Sequence, residues 1–216
     1  MAPAGGPSTL GQIGERMTNT IGIVLYPDFE ELDAIGPYEV FGMFAGMSTG
    51  TWQVVTIADS AGPVRSHSGL KVVADHGFDD APPLKVIVVP GGLGSRTAVN
   101  EKRCVDFVRS AGGAAEWQTS VCTGAFILHE SGLLNGKKVT THWGAIDMLR
   151  QLPGIEVVDD VRYVHDGNVL TSAGVSAGID MALYLVSLLE DEQTALNVQK
   201  MMEYYPKPPA FEKVPA

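Results

Sequence analysis

Short, uninterrupted apolar runs alternate along the chain with longer segments in which apolar residues recur every three or four positions. Runs that are continuous and rich in β-branched residues are typical of parallel strands covered on both faces. They are Ile21–Tyr26, Val54–Ala58, Val86–Pro90 and Gln118–Cys122, with a shorter candidate at Val139–Thr141. Two further segments, Val64–Ala74 and Val161–Thr171, predict β-hairpins, the second because Asp166-Gly167 is a strong turn signal.

The segments with helical spacing each carry an apolar stripe. The stripes are Val40, Phe41, Phe44 and Met47; Ala145, Met148, Leu149 and Leu152; and Ala195, Val198, Met202 and Tyr205. Pro37 is expected at the first position of the first helix, where its missing N–H does no harm. The segment Ser176–Glu190 is apolar on nearly every side, so we expect it to be buried both by the sheet and by something else, such as a second subunit.

Strands that alternate with helices indicate an α/β fold with a mostly parallel sheet, whose sites lie beyond the carboxyl ends of the strands. We predict one domain over residues 20–205. Residues 1–19 are rich in Gly, Pro, Ser and Thr and lack a hydrophobic period, which predicts a disordered extension. Residues 206–216 contain four prolines and form a Pro-rich tail that cannot continue a helix.

Composition narrows the class of protein. No stretch approaches the roughly 18 uninterrupted apolar residues of a membrane span, and the start of the chain does not resemble a secretory signal. Two cysteines cannot form a disulfide framework, which favours the reducing cytoplasm. Fifteen Lys and Arg against 25 Asp and Glu give a net charge of −10, which argues against nucleic acid as a partner.

The strongest chemical signal is the sequence Ser120-Val121-Cys122-Thr123-Gly124, which follows a predicted strand and precedes an apolar helical segment. Small residues two positions before and after the cysteine are typical of a nucleophile elbow. The start of a helix favours a thiolate. A buried, unreactive thiol is the alternative, and the local pattern supports both. Cys104 shares a helical face with Val108 and has no elbow, which predicts a structural role.

Groups that would assist a nucleophile follow neighbouring strands. Gly91-Gly92 ends the run Val86–Pro90, so its backbone N–H groups are candidate donors to a developing anion, as is the N–H of Thr123. Asp33 lies among apolar residues at a predicted loop, where burial beside a thiolate would raise its pKa and keep it protonated. An ordinary tight turn and an ordinary turn aspartate are the alternatives.

The sequence predicts neither a metal nor a cofactor. No two of the five histidines have the spacing of metal ligands, and there is no P-loop or dinucleotide fingerprint. We single out His142 because it follows the candidate strand Val139–Thr141, and we expect no other histidine at a strand end of the sheet. It is a candidate base or orienting group, and a packed, hydrogen-bonded histidine is equally compatible.

The motifs that carry a family resemblance are Leu32–Pro37, Pro90-Gly91-Gly92, Thr119–Gly124, Thr140–Trp143 and Ala173–Asp180. Together they resemble the ThiJ/PfpI superfamily, which implies a three-layer, flavodoxin-like, class I glutamine amidotransferase-like sandwich over residues 20–205. Within the superfamily the likeness is greatest to the bacterial isocyanide hydratases, whose Pro-rich ending resembles Glu203–Phe211.

The resemblance implies roles for single residues. Cys122 matches the nucleophile, Asp33 the acid that hydrogen-bonds it, and Thr123 the threonine of the hydratases, while Val175 matches a residue on the helix bordering the site. The implied reaction converts an isocyanide and water to an N-substituted formamide through a thioimidate on Cys122, with Thr123 and Gly91-Gly92 positioning water or stabilising charge. Family members are commonly homodimers.

Three alternatives remain open. A glyoxalase or deglycase acting on 2-oxoaldehydes would use the same thiol, although that branch has glutamate in place of Asp33. The intracellular-protease branch has histidine in place of Thr123, which weakens a peptidase assignment. A redox sensor would also use a reactive cysteine. The third alternative, besides the 2-oxoaldehyde enzyme and the redox sensor, is a ligand-binding module of a regulator. It is the weakest of the three, because we expect no DNA-reading domain.

Overall fold

The computed structural model describes residues 18–206. The predicted N-terminal extension and Pro-rich tail lie almost entirely outside these residues. The strands are β1 Asn19–Val24, β2 Trp52–Ala58, β3 Gly62–Arg65, β4 Lys71–Ala74, β5 His76–Gly77, β6 Val86–Val89, β7 Trp117–Val121, β8 Lys137–Val139, β9 Ile155–Val157, β10 Tyr163–Asp166 and β11 Val169–Ser172. The helices are α1 Glu31–Met47, α2 Ser95–Ala98, α3 Lys102–Ala114, α4 Gly124–Glu130, α5 Ile146–Leu149, α6 Ala177–Leu189 and α7 Glu192–Met201.

A seven-stranded sheet in the order β10-β11-β7-β6-β1-β2-β5 forms the centre of the fold, and helices flank it. Its strands are parallel except for β10, which pairs antiparallel with β11. The predicted α/β class, mostly parallel sheet and both hairpins are confirmed. Every residue of β6 and β11 is buried, as expected for strands covered on both faces.

The carboxyl ends of four adjacent strands meet at one edge of this sheet. Val89 of β6 pairs with Ser120 of β7, and Ser172 of β11 pairs with Val121 of β7. The segments after β1, β6, β7 and β11 therefore converge, although they are far apart in sequence.

The candidate strand Val139–Thr141 does not join the main sheet. It corresponds to β8, which pairs with β9 in a separate two-stranded sheet. The two lysines of β8 explain the difference. Only Val139 of this strand is buried, whereas a strand inside a parallel sheet is covered on both faces and needs apolar residues throughout.

Three predicted helices differ in extent. α1 begins at Glu31, so Pro37 lies inside the helix and not at its start. Glu31 and Asp33 stand in the first turn, where the helix dipole favours acidic residues. The stripe starting at Ala145 is shorter than predicted: a single 3₁₀ turn, Trp143–Ala145, leads into α5, and Met148 is exposed. α7 ends before Tyr205, which is also exposed.

Close packing between α1 and α6 places the first turn of α1 at the strand ends. A Cβ on Gly36 would lie 2.9 Å from Ile179, and one on Gly178 would lie 2.9 Å from Val121 and 3.3 Å from Pro37. Because Gly36 and Gly178 have no side chain, α1, α6 and β7 can pack closely against one another. That approach brings Asp33 to the edge where β7 ends.

No helix among residues 18–206 is both long enough and apolar enough to cross a membrane.

Candidate active site

Cys122 stands in the sharp turn between β7 and α4, and its backbone φ is +56°. Left-handed backbone is uncommon for a residue other than glycine. The turn needs small neighbours, because a Cβ on Gly124 would lie 2.1 Å from the carbonyl oxygen of Val89. The strand–turn–helix geometry predicted for the elbow is therefore present.

Backbone contacts hold Cys122 from two sides. Its N–H lies 3.1 Å from the carbonyl oxygen of Ser172 and 3.2 Å from that of Ala173. Its own carbonyl oxygen accepts a hydrogen bond from Thr141 Oγ1 at 2.7 Å. The position of the sulfur is thus fixed by the end of β11 and by the segment that follows β8.

Asp33 is fully buried on the first turn of α1, not in the loop that the sequence predicts. Its Oδ2 accepts a hydrogen bond from the Gly91 N–H at 2.9 Å, whereas the buried Oδ1 has no hydrogen-bond partner. Burial raises the pKa of Asp33 to about 7. The Gly91 N–H opposes this rise, the charge of Glu30 adds to it, and the Cys122 thiol and the Val175 backbone also lower the pKa. The direction of the predicted shift and its cause by burial agree with the structure, whereas Cys122 lowers the pKa of Asp33 and does not add to the rise as expected.

Cys122 is 7% exposed, and the pKa of its thiol is raised to about 12. Burial is the main cause and the charge of Asp33 the next, while hydrogen bonding from Thr123 and from the Gly92 N–H acts in the opposite direction. The start of the short helix α4 was expected to favour a thiolate, but desolvation raises the pKa of the thiol more than the N–H groups there lower it. The site therefore pairs a thiol whose pKa is raised by burial with an acid whose pKa is about 7.

The two glycines after β6 have different surroundings. The N–H of Gly91 is donated to Asp33, so Gly91 holds the acid and is not the free donor that the sequence predicts. Gly92 has φ +111°, and a Cβ on it would lie 2.3 Å from the backbone nitrogen of Glu30. Its N–H donates to Thr123 Oγ1 at 3.1 Å, and Ser95 Oγ lies 2.8 Å from the same oxygen. Gly92 and Thr123 thus remain beside the sulfur.

Tyr26, which was not singled out from the sequence, contacts the backbone segment that hydrogen-bonds Asp33. Its hydroxyl lies 2.5 Å from the carbonyl oxygen of Pro90 and 3.1 Å from that of Gly91. A buried tyrosine at the end of an apolar strand needs a partner for its hydroxyl, and this was the available signal. Tyr26 therefore anchors the peptides from which Asp33 receives its hydrogen bond.

A cleft of about 630 Å³ reaches the thiol. Its walls are mostly apolar and include Leu93, Val99, Phe126, Met148 and Val175. Val175 lies where the resemblance implied, bordering the site, but in the turn before α6 and not on the helix itself. Its φ of +51° is strained for a β-branched residue.

Polar residues around the cleft include Glu30, His67 and Arg96, none of which the sequence analysis proposed. The β3–β4 hairpin carries His67 to the site: the His67 N–H donates to the Phe29 carbonyl at 2.9 Å. Glu31 holds the same loop by accepting hydrogen bonds from the Ser66 hydroxyl and the Ser68 N–H. The β3–β4 hairpin was predicted, but its hydrogen bonds to Glu31 of α1 were not, because they join residues that are far apart in the chain.

His142 lines the cleft, but it does not lie at a strand end of the main sheet as predicted. It is the N-cap of the 3₁₀ turn Trp143–Ala145, while His76 and His165 are the histidines in strands of the main sheet. Its Nδ1 accepts a hydrogen bond from the Gly144 N–H at 3.1 Å, and its ring packs where a Cβ on Gly174 would lie 2.0 Å away. His142 therefore shapes the turn that borders the cleft.

Comparison with known proteins identifies the family. Residues 19–188 match the model of the DJ-1/PfpI family. The chain is 42% identical over 193 residues to an isonitrile hydratase from Pseudomonas putida, covering 89% of this chain and 82% of that protein. The crystal structure of a ThiJ/PfpI family protein from Pseudomonas syringae superposes with a TM-score of 0.82 at 33% identity, covering 98% of this chain and 87% of the other.

More distant relatives have other functions. The transcriptional regulator GbdR from Pseudomonas aeruginosa is 24% identical over 192 residues, and this chain spans only 52% of its length. The match of the family model over most of the chain, and the likeness to the hydratase, decide the assignment: the protein belongs to the DJ-1/PfpI family.

Proposed function

We propose that the protein adds water to an isocyanide to give an N-substituted formamide, with Cys122 as the nucleophile. The observation that carries this proposal is the 42% identity to an isonitrile hydratase along nearly the whole of both chains. The site supports it, because a buried cysteine, a buried acid and an apolar cleft occur together. An isocyanide is uncharged, so it can enter such a cleft without the desolvation cost of an ion.

The pair Cys122 and Asp33 holds one proton in its reactive state. With a thiol pKa of about 12 and a carboxyl pKa of about 7, the proton rests on sulfur once Asp33 has ionised. The Asp33 carboxylate takes this proton as sulfur attacks the terminal carbon of R–N≡C, and then delivers it to that carbon. The product is the thioimidate R–N=CH–S–Cys122, and no leaving group is needed.

Water completes the reaction. Its oxygen bonds to the thioimidate carbon while Asp33 accepts a proton from it and passes that proton to nitrogen, giving R–NH–CH(OH)–S–Cys122. The carbon–sulfur bond then breaks, the hydroxyl proton passes through Asp33 to sulfur, and R–NH–CHO is released. The N–H groups of Gly92 and Thr123, which lower the pKa of Cys122, stabilise the departing thiolate.

The test is a panel of isocyanides with product detection by mass spectrometry. Wild type should form the formamide from phenyl isocyanide or methyl isocyanide, and Cys122→Ala and Cys122→Ser should form none. Cys104→Ala is the matched control, because Cys104 is also a buried thiol whose pKa burial raises to about 12, but it lies on α3 outside the cleft. Hydration that persists in Cys122→Ala would refute the covalent scheme.

The same panel tests the alternatives. Consumption of methylglyoxal without consumption of any isocyanide would identify a 2-oxoaldehyde enzyme. Burial raises the pKa of the Cys122 thiol, which disfavours a redox role, since oxidation by peroxide requires thiolate. Homodimer formation and a cytoplasmic location remain predictions from the sequence.

A further inference from the structure

Exposed apolar side chains cluster at the cleft. Trp143 is the most exposed large apolar residue of the described chain, at 84% of its surface, and Leu93 and Met148 are 50% and 47% exposed. All three line the cleft that reaches Cys122. An apolar patch that is continuous with a reactive group is typical of a surface that binds a ligand.

The backbone of Trp143 is tied to the nucleophile. Trp143 begins the 3₁₀ turn two residues after Thr141, whose hydroxyl donates to the Cys122 carbonyl at 2.7 Å. The turn is closed by the hydrogen bond from the Gly144 N–H to His142 Nδ1, and the His142 and Trp143 rings lie 5.3 Å apart. Trp143 is thus exposed, but its backbone is held at a fixed place relative to the sulfur.

The size and charge of the cleft limit what can fill it. The reacting –N≡C group is two atoms long, so a small alkyl isocyanide would leave most of the 630 Å³ to water. Covering the apolar walls yields about 25 cal/mol per Å², and a stacked aromatic pair adds about 0.5–1.5 kcal/mol. Glu30 and Arg96 both line the cleft, so their opposite charges give no net preference for a charged substituent.

We propose that Trp143, together with Phe126 and Met148, binds the N-substituent of the substrate, and that uncharged aromatic isocyanides are the preferred class. This inference rests on the proposed hydration activity. It adds a specificity subsite made by three side chains of the cleft, of which Trp143 supplies the most exposed aromatic face.

The experiment compares kcat/KM for phenyl isocyanide and methyl isocyanide. Wild type should prefer the phenyl compound. Trp143→Ala should lower kcat/KM for phenyl isocyanide about 10-fold, or about 1.4 kcal/mol, with methyl isocyanide changed less than about 2-fold. Trp143→Phe should restore most of the loss. Tyr205→Ala, which removes an aromatic side chain that is 61% exposed and outside the cleft, should change neither.

Three outcomes would overturn the inference. They are equal losses on both substrates in Trp143→Ala, no loss on either, and a wild type that uses methyl isocyanide as well as phenyl isocyanide. Sedimentation of wild type and Trp143→Ala tests a second copy as the occupant, since dissociation on removing the indole would place Trp143 in an interface instead. If wild type hydrates no isocyanide at all, the proposed function itself fails, and this result is distinct from the others.

Discussion

Asp33 and Gly91 are joined by a hydrogen bond of 2.9 Å from the glycine N–H to the buried carboxyl group. The same glycine packs against the nucleophile, since a Cβ on it would lie 2.5 Å from the Thr123 nitrogen and 2.8 Å from Cys122 Cβ. One peptide therefore fixes the acid and adjoins the nucleophile. The protonation of Asp33 and the reactivity of Cys122 should be coupled as a consequence.

The pH dependence of turnover follows from this coupling. Below pH 7 both Asp33 and Cys122 hold a proton, so no base is present to ionise the thiol. We expect kcat/KM to rise about tenfold per unit at acidic pH and to level off above an apparent pKa near 7. Initial rates of formamide production across pH 5–9 measure it.

The matched variant for this profile is Asp33→Asn, which keeps the shape of the side chain and cannot titrate. It should lower kcat/KM by about 10²–10⁴-fold, as loss of general acid–base help does. It should also abolish the inflection near pH 7. An unchanged inflection in Asp33→Asn would assign the titration to another group.

Asp33→Asn should at the same time make the protein more stable above neutral pH. The folded pKa of about 7 exceeds the ordinary value of 3.8, so the native state holds the proton more tightly than the unfolded chain. The contribution of Asp33 is therefore greatest below pH 4 and is lost as pH rises through 7, by an amount on the order of 4 kcal/mol.

Urea denaturation at pH 4.5 and pH 8 measures this effect. The free energy of unfolding of Asp33→Asn should exceed that of wild type at pH 8 by a few kcal/mol, on the order given by the pKa difference, and should approach it at pH 4.5. A variant that is less stable at both pH values would show that burial of the carboxylate does not strain the native state.

Tyr26→Phe should act on the reaction through the Pro90–Gly91 peptides. Losing the hydroxyl, which lies 2.5 Å from the Pro90 carbonyl oxygen, frees these peptides and weakens the Gly91 N–H bond to the carboxylate. Because that bond favours the ionised acid, the apparent pKa of the pH–rate profile should move upward, by up to about one unit.

The control for Tyr26 is Tyr38→Phe, which removes the hydroxyl of a tyrosine that is 37% exposed and outside the cleft. Its profile should match wild type. If Tyr26→Phe lowers the rate equally at all pH values, without moving the inflection, Tyr26 contributes to stability and does not position Asp33.

The sequence predicted features that depend on neighbouring residues. The elbow at Cys122 was predictable because strand, turn and helix follow one another within a few positions. The hairpin of β10 and β11 was predictable because its turn is local, although the turn residues are Gly167 and Asn168, one position later than the Asp166-Gly167 signal. The seven-stranded order was not, since it depends on contacts between strands that are distant in the chain.

Features that depend on distant partners could not be read from the chain. Asp33 and Gly91 are 58 residues apart, and Tyr26 and Pro90 are 64 apart, so no local pattern links them. The raised pKa of Cys122 could not be predicted either, because desolvation depends on what covers the thiol and not on its position at a helix start.

Gly124→Ala tests whether close approach at the elbow is required for folding. Its new Cβ would lie 2.1 Å from the Val89 carbonyl oxygen and 2.7 Å from that of Pro90. These are backbone atoms at the end of β6, which cannot move aside without disturbing the central sheet. Overpacking of this kind costs about 1–3 kcal/mol or more, so the free energy of unfolding should fall by at least that much.

Gly42→Ala is the matched control, because Gly42 lies inside α1 and a Cβ there would have no heavy atom within 4 Å. Alanine favours the helix over glycine by about 0.5–1 kcal/mol, so this variant should be slightly more stable than wild type. Chemical denaturation should therefore show a lower free energy of unfolding for Gly124→Ala and a slightly higher one for Gly42→Ala. If Gly124→Ala is as stable as wild type, a Cβ at position 124 must lie farther than 2.1 Å from the Val89 carbonyl oxygen.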